Sequence, residues 1–402
     1  MKMKLFYEKN SQRCFLMTLL NAFFVIVFGL VIYYSALLPI KNANYKEDEI
    51  QMLDDRATLN QMATDAKLLH NFDNGDQYSI NNYYEYYLRT LLKYNYENSS
   101  YDLDEDIEKY NEKKDTFKPF IDIEVNGNVV NDDFLGNFYT QYIVDKKDSN
   151  NNLVIDFSNT NPKDYFYYEI LDIDNEGAKF FKDTSGEYPY FKDDVRKALY
   201  SYNFLKLVDD DYYQIDKEFF QFFVQKYNIS GEFLLKCDNY ATLLERHNSI
   251  YQTLLNYDTM STFVSYGISL IVITLIIPLF TKYHRNPGEL ILKRAFIKES
   301  EEKEEATIVS LLIRFTYGII KYLFAGFIIS LFINLTVSFV VPVFTIGAFS
   351  VSLFVLTIIS LLVNSISLSI SKIRGDNKNL ECVISRTRVF VVEKIIIKNN
   401  NY

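Results

Sequence analysis

Acidic side chains are the residues of this chain most able to do chemistry, and two short clusters of them have the look of calcium loops. Asp172, Asp174, Glu176 and Gly177 fit the opening of an EF-hand loop, with Asp183 at the closing position. Lys179 stands where such a loop has an apolar residue, so a polar turn explains the cluster equally well. Asp148, Asn150 and Asn152 fit less closely, because Leu153 replaces the required glycine. The three histidines, His70, His247 and His284, have no metal spacing. No nucleophile motif, phosphate loop or dinucleotide fingerprint is present. The expectation is a protein that is not an enzyme, takes no cofactor and binds no nucleic acid. The Tyr-rich stretches Tyr83–Tyr87 and Tyr165–Tyr168 read as core and surface aromatics or as a ligand-stacking surface.

These residues lie between long apolar runs that must position them. No charged residue occurs in the 27 positions Cys14–Ile40, the 23 positions Thr259–Thr281 or the 50 positions Tyr322–Ser371. A helix needs about 20 residues to cross a bilayer. As one helix the last run would be about 75 Å long, so it must cross twice. Val341, Pro342 and Gly347 mark the turn. The expected fold is an α-helical multi-pass membrane protein (four transmembrane helices) with a mixed α/β extracytoplasmic domain.

Charge orients the spans. Between Lys41 and Thr259 there are 42 acidic and 23 basic residues, against 10 and 19 in the remainder. The basic residues sit beside span ends: Lys4, Lys9 and Arg13; Lys282, Arg285, Lys293 and Arg294; Lys372, Arg374, Arg386 and Arg388. Such an excess marks cytoplasmic segments. Four spans put all three segments, and both termini, on the cytoplasmic side of a cell membrane. The division is a cytoplasmic N-terminus (1–13), first span (14–40), extracytoplasmic acidic domain (41–258) and second span (259–281). A solvated cytoplasmic loop (282–307), an amphipathic interfacial helix (308–321), third span (322–341), fourth span (346–371) and cytoplasmic tail (372–402) follow. In the interfacial helix Ile308, Leu311, Leu312, Phe315 and Ile319 form an apolar stripe, opposite Thr307, Ser310, Arg314 and Lys321. The first run is too long for a signal peptide and reads as a retained anchor. Cys14, Cys237 and Cys382 offer no intramolecular disulfide on this topology.

The runs themselves hold no ionisable group, which speaks against a proton relay. Their amides, Asn21, Asn334 and Asn364, serve helix packing or line a pathway. Gly326 and Ser330 make a small-xxx-small pair. In the acidic segment, apolar spacing predicts helices at Glu47–Leu69, Asp133–Asp145, Asp193–Leu207, Asp216–Tyr227 and Tyr240–Asn256. The first and last of these could prolong the neighbouring spans as a stalk. Strands are expected at Phe120–Val125, Leu153–Phe157 and Tyr165–Ile173, with a turn at Asn126-Gly127.

Several motifs beside the spans resemble those of the RDD family of membrane proteins. After the second span comes Asn286-Pro287-Gly288-Glu289-Leu290-Ile291-Leu292-Lys293-Arg294, then Leu311-Leu312-Ile313-Arg314-Phe315. After the fourth comes Asn379-Leu380-Glu381-Cys382-Val383-Ile384-Ser385-Arg386-Thr387-Arg388-Val389. Arg13 precedes the first span as the family's first Arg does. The matching motif residues are Arg13, Pro287, Gly288, Arg314, Leu380 and Thr387. Glu381-Cys382 replaces the family's His-Asp, Glu289 replaces a lysine, and Asn21 lies near the place of the family's intramembrane Asp. The resemblance covers Met1–Ile40 and Met260–Val392, and the acidic segment is an insertion. It implies a membrane scaffold or transport-related core, with an extracytoplasmic domain for an unknown ligand or protein. The lipid bilayer is the first partner, and homo-oligomerisation is left open. A transporter of a neutral or organic solute and an envelope sensor relaying binding through stalk helices are the alternatives.

Overall fold

The computed structural model describes residues 3–7, 11–68, 80–98, 124–125, 128–129, 136–183, 186, 188–205, 210–298, 306–347, 349–374 and 378–394. His70, the Asn126-Gly127 turn and the charged stretch 299–305 lie outside these residues. Two compact units result, Met1–Ile50 with Ile250–Tyr402 and Gln51–Ser249.

Strand β1 (Met3–Tyr7) precedes helix α1 (Ser11–Ile32), a π turn at Tyr33–Leu37 and helix α2 (Leu38–Asp65). The π turn has a local cause. Pro39 has no N–H to give the Ser35 carbonyl, and its ring crowds that carbonyl, so the helix widens there. The acidic unit then contains α3 (Ile80–Asn98), β2 (Glu124–Val125), β3 (Asn128–Val129), β4 (Phe181–Asp183), β5 (Tyr190–Phe191), α4 (Asp193–Leu205) and α5 (Asp210–Lys236). Helix α6 (Asp238–Ile271) follows, and a second π turn at Val272–Ile276 precedes Pro278 in the same way. Helix α7 (Pro287–Ile291) and strand β6 (Arg294–Lys298) come next, then α8 (Ile308–Lys321) and α9 (Leu323–Ile333), which meet at a 49° bend. Asn334 is extended and caps α10 (Leu335–Phe339) by accepting from Thr336 N at 2.9 Å. A hairpin of β7 (Pro342–Ile346) and β8 (Phe349–Ser352), turning at Gly347 with φ +59°, leads to α11 (Leu353–Arg374), α12 (Leu380–Ser385) and β9 (Thr387–Lys394).

Among the described residues, three helices are long and apolar enough to cross a membrane, or four if the bent pair α8–α9 is one span. In this unit Ala22 and Val25 of α1 pack with Tyr266 and Leu270 of α6 and with Ala325 and Ile329 of α9. Ser261, Ser265 and Ser269, four residues apart on α6, are all buried, and Ser269 Oγ donates to the Val25 carbonyl. Small side chains at this spacing let helices approach closely. Gly326 lies against the Tyr266 ring, where a Cβ would come within 3.3 Å. Large apolar side chains face outward instead, among them Leu19, Phe23, Val27 and Val31 on α1. An outward apolar belt of this size needs a nonaqueous surround.

Three expectations are corrected here. Parts of the N-terminus, of the loop read as solvated and of the tail, Met3–Tyr7, Arg294–Lys298 and Thr387–Lys394, form a three-stranded antiparallel sheet in the order β1-β9-β6. Both faces of that sheet are covered: Ala295, Ile297, Phe390 and Val392 pack on one, Phe296 and Val389 on the other with Cys14, Met17 and Cys382. The fourth apolar helix starts at Leu353, because β8 occupies the positions before it. The polar stripe of α8 points inward and the apolar stripe partly outward: Arg314 is 5% exposed, whereas Leu312 is 47% exposed.

The acidic unit is mostly helical, not evenly α/β. Its core is aromatic. Tyr84, Tyr87, Leu88 and Leu91 of α3 meet Phe219, Phe222 and Phe223 of α5, and Phe180, Phe181 and Phe191 close the cluster. Phe219 alone contacts the rings of Tyr84, Tyr87, Phe180, Phe181 and Phe191. Tyr165–Ile173 is no strand, since Tyr165–Ile170 form a π turn that buries Phe166, Tyr167 and Ile170. Its four consecutive aromatics, Tyr165–Tyr168, satisfy a one-turn helix because the aromatic core lies against Phe166 and Tyr167. Leu153 makes only an isolated bridge to Lys147, so Leu153–Phe157 is no strand either. The helix expected at Asp133–Asp145 is present over its described part as 136–142, of which Phe138–Tyr142 form a π turn. Asp55 of α2 accepts from Arg246 of α6 at 2.8 Å, and His247 Nδ1 lies 3.1 Å from the Met52 carbonyl.

Candidate functional site

Four ionisable side chains meet in the interior of the helical unit. Arg314 and Lys321 of α8, Glu289 of α7 and Glu381 of α12 are each less than 9% exposed. Arg314 Nε donates to Glu381 Oε1 at 3.1 Å, and its terminal nitrogen donates to Glu289 Oε1. Lys321 Nζ donates to Glu381 Oε2 at 2.5 Å. The guanidinium also lies 3.7 Å over the Phe296 ring and reaches the His284 carbonyl at 3.5 Å. Two cations and two anions cancel, which is the arrangement that makes buried charge tolerable.

Local structure places each partner. Asn286 begins α7 with Pro287 at its first position, and the Asn286 N–H donates to Glu289 Oε2 at 3.2 Å. Gly288 N donates to Asn21 Oδ1 at 2.8 Å. A Cβ on Gly288 would lie 2.8 Å from that oxygen and 3.0 Å from the Met17 carbonyl, so only glycine allows this approach to α1. Tyr283 and His284 both have left-handed backbones, φ +64° and +48°, which turns the chain just before α7. Asn379 caps α12 by accepting from Cys382 N at 2.8 Å. Ser360 and Asn364 of α11 donate to the Lys321 carbonyl at 2.8 and 2.9 Å, anchoring the end of α8.

Burial raises Glu289 to about 6, against the pull of Arg314. Burial acts the same way on Glu381, but Lys321 and Arg314 outweigh it and hold that carboxyl below its ordinary value. Burial also pushes the Cys382 thiol far up, which makes it inert. Every charge here is saturated by another, so the cluster is built to fasten α7, α8 and α12 together.

A second polar group occupies the same unit near the break in its third apolar helix. Asp258, 3% exposed, lies 3.0 Å from Lys41 Nζ and accepts from Asn334 Nδ2 at 2.9 Å. Lys41 also pairs with Glu49 at 3.2 Å.

The acidic unit contains a cleft of about 230 Å³ lined by Gly136, Asn137, Thr140, Lys163, Phe166, Tyr167 and Tyr188. Asn161 caps the turn Pro162–Asp164 by accepting from Asp164 N at 2.8 Å, and this sets Lys163 at the cleft. Lys163 Nζ donates to the Gly186 carbonyl at 2.5 Å and stands 5.5 Å from the Tyr167 ring centre.

The residues singled out from sequence fall into place unevenly. Gly288 and Arg314 belong to the buried cluster, and Pro287 starts the helix that carries Glu289. Leu380 opens α12, its N–H donating to Ser367 Oγ at 3.1 Å. Thr387 is buried and bonded to Ser385 at 2.6 Å. Arg13 is in α1, with its side chain outside the described residues. Asn21, Asn334 and Asn364 each bond a protein partner, as packing groups do. Asp172 accepts from Asn175 Nδ2 at 2.8 Å, and Glu176 pairs with Lys226 at 2.9 Å. Asp174 stays in the same turn, and the side chain of Asp183, in β4, lies outside the described residues. No group of three metal-ligating side chains occurs among the described residues. All three cysteines are buried, and none is in a disulfide.

Sequence reasoning missed Glu289, Lys321, Glu381, Asp258 and Lys41 as interacting groups. One signal was available: Glu289 and Glu381 sit within helix-starting motifs beside the apolar runs. Comparison with family models, with curated proteins and with solved structures returns no match.

Proposed function

We propose that this chain is an integral membrane protein of the cell envelope, on an RDD-like plan, whose acidic unit binds a small ligand outside the cytoplasm. The helical unit is its scaffold in the bilayer, and no catalytic step is part of this reading. The basic residues beside the apolar helices favour cytoplasmic termini. The meeting of the segments that carry Pro287-Gly288, Arg314 and Leu380 favours the family plan, and the two carboxylates that answer Arg314, Glu289 and Glu381, are this chain's own departures from it.

The observation that carries the reading is the aromatic cleft with Lys163 at its wall. The buried charges of the helical unit are, by contrast, paired with each other. Thermal unfolding of the full chain in lipid nanodiscs, against salts, peptides, sugars and small metabolites, tests it. A ligand that binds only the folded protein raises the midpoint. The expected result is a rise with one ligand class that vanishes when Thr140→Trp fills the cleft. A midpoint indifferent to every class removes the reading.

A second reading is a transporter of a neutral or organic solute. Its specific support is Asn334, which interrupts the third apolar helix and holds the buried Asp258. Broken helices with polar groups at the break are a transporter feature. Asn334→Leu would abolish solute flux in proteoliposomes while leaving the fold intact, and persistent flux would exclude that route.

A further inference from the structure

We infer that the cleft of the acidic unit takes a single neutral sugar ring, stacked against Tyr188 and hydrogen-bonded by Lys163, Asn137 and Thr140. This rests on the ligand-binding reading above and names the ligand class.

Size limits the occupant first. Sites for drug-sized ligands measure about 300–1,000 Å³, and this cleft is about 230 Å³. One ring fits, a chain of rings does not. The lining then sets its chemistry. Phe166 and Tyr167 form the floor of the cleft and are each only 2% exposed, so Tyr188, half-buried, is the ring whose electron-rich face suits the polarised C–H groups of a sugar. Tyr188 is steadied by the Tyr94 ring, 5.0 Å away and edge-on. Around them stand short-range polar groups. Lys163 has three N–H donors and uses one on the Gly186 carbonyl. Thr140 Oγ1 donates to the Gly136 carbonyl at 3.1 Å, and the hydroxyl can still accept. Apolar faces rimmed by mixed donors and acceptors match a ring with an apolar face and a hydroxyl edge.

Charge excludes the extremes. The segment Lys41–Thr259 carries 19 more acidic than basic residues, which repels an anion over distance. Lys163 repels a cation at contact. A neutral ligand meets neither penalty. Backbone geometry points to the same place, since Thr140 lies in one π turn, Phe138–Tyr142, and Phe166 and Tyr167 in another, Tyr165–Ile170. Such turns are rare and concentrate at functional sites. No proline follows either turn as Pro39 and Pro278 follow the π turns of the helical unit.

Saturation-transfer NMR on the full chain in lipid nanodiscs, free of sugar detergents, is the test. The probes are methyl α-glucopyranoside, N-acetylglucosamine and, as a neutral flat ring without hydroxyls, benzamide. The expected result is transfer to the ring protons of at least one sugar, with weak affinity, weakened at least fivefold by Lys163→Met and by Thr140→Val. Both variants should keep the wild-type melting midpoint, which separates lost contacts from lost folding. Transfer to benzamide alone, weakened by the same variants, overturns the sugar assignment and leaves the ligand-binding reading standing. Sugar transfer undiminished in both variants overturns this cleft as the site. No transfer to any probe, with no midpoint shift from any ligand class, overturns both.

Discussion

The helical unit buries a cluster of four charges and leaves large apolar side chains outside, whereas the acidic unit is centred on aromatic rings. In the acidic unit aromatic rings are inside, and charges such as Lys179 and Asp193 are outside. In the helical unit Arg314, Lys321, Glu289 and Glu381 are inside, and Phe23, Val31 and Leu312 are outside. One chain therefore obeys two solvent rules. A side chain is interior because its alternative surround suits it worse, and the outward residues of the helical unit suit hydrocarbon as those of the acidic unit suit water. In lipid an apolar face gains nothing by turning inward, whereas a polar face must find partners.

Breaking each core by its own logic should cost similar amounts. Arg314→Leu leaves Glu289 buried without a cation and Glu381 with Lys321 alone, at a cost of about 3–5 kcal/mol. Thermal unfolding in nanodiscs would show a large drop in midpoint, and a variant as stable as wild type would deny that the cluster fastens α7, α8 and α12. Phe219→Ala, at the centre of the aromatic core, should cost about 3–5 kcal/mol through the cavity it leaves. Hydrogen exchange should rise in α3 and α5, and unchanged protection there would contradict the packing.

The smaller tests sharpen the contrast. Glu289 binds its proton more tightly folded than unfolded, so its contribution is present at low pH. That contribution is lost as pH rises from its ordinary value towards about 6. Glu289→Gln should remove this dependence, and the difference between wild-type and variant stability should change by on the order of 2 kcal/mol over that window. A difference independent of pH would mean that Arg314 dominates burial at Glu289. Tyr139→Phe, which deletes the 2.8 Å bond to Ser230 inside the acidic unit, should cost about 1 kcal/mol. Equal melting curves for both proteins would show that Ser230 finds another partner.

Much was legible in sequence wherever the signal was local. The apolar runs, the helices beginning near Asp193 and Tyr240 and the turn at Gly347 each depend on a few neighbouring residues. Motif residues Gly288 and Arg314 were legible as a pattern but not as a pair of partners. The misreadings share one cause. Strand β9 pairs with β1 and β6, far away in the chain, so nothing beside Thr387–Lys394 announces the sheet. The strand forecast at Tyr165–Ile173 failed because a ring of distant aromatics buries that segment whatever its period.

The sequence by itself determined where the chain can leave water and how charge divides along it, because hydropathy and charge are sums over neighbours. It also determined where the helices of the membrane unit must widen, because Pro39 and Pro278 withhold their own hydrogen bonds. Only the tertiary structure decided which way α8 faces, which carboxylates answer Arg314 and Lys321, and that Lys163 stands among tyrosines. Those are pairings between residues far apart in the chain, and their energy exists only once the chain has closed on itself.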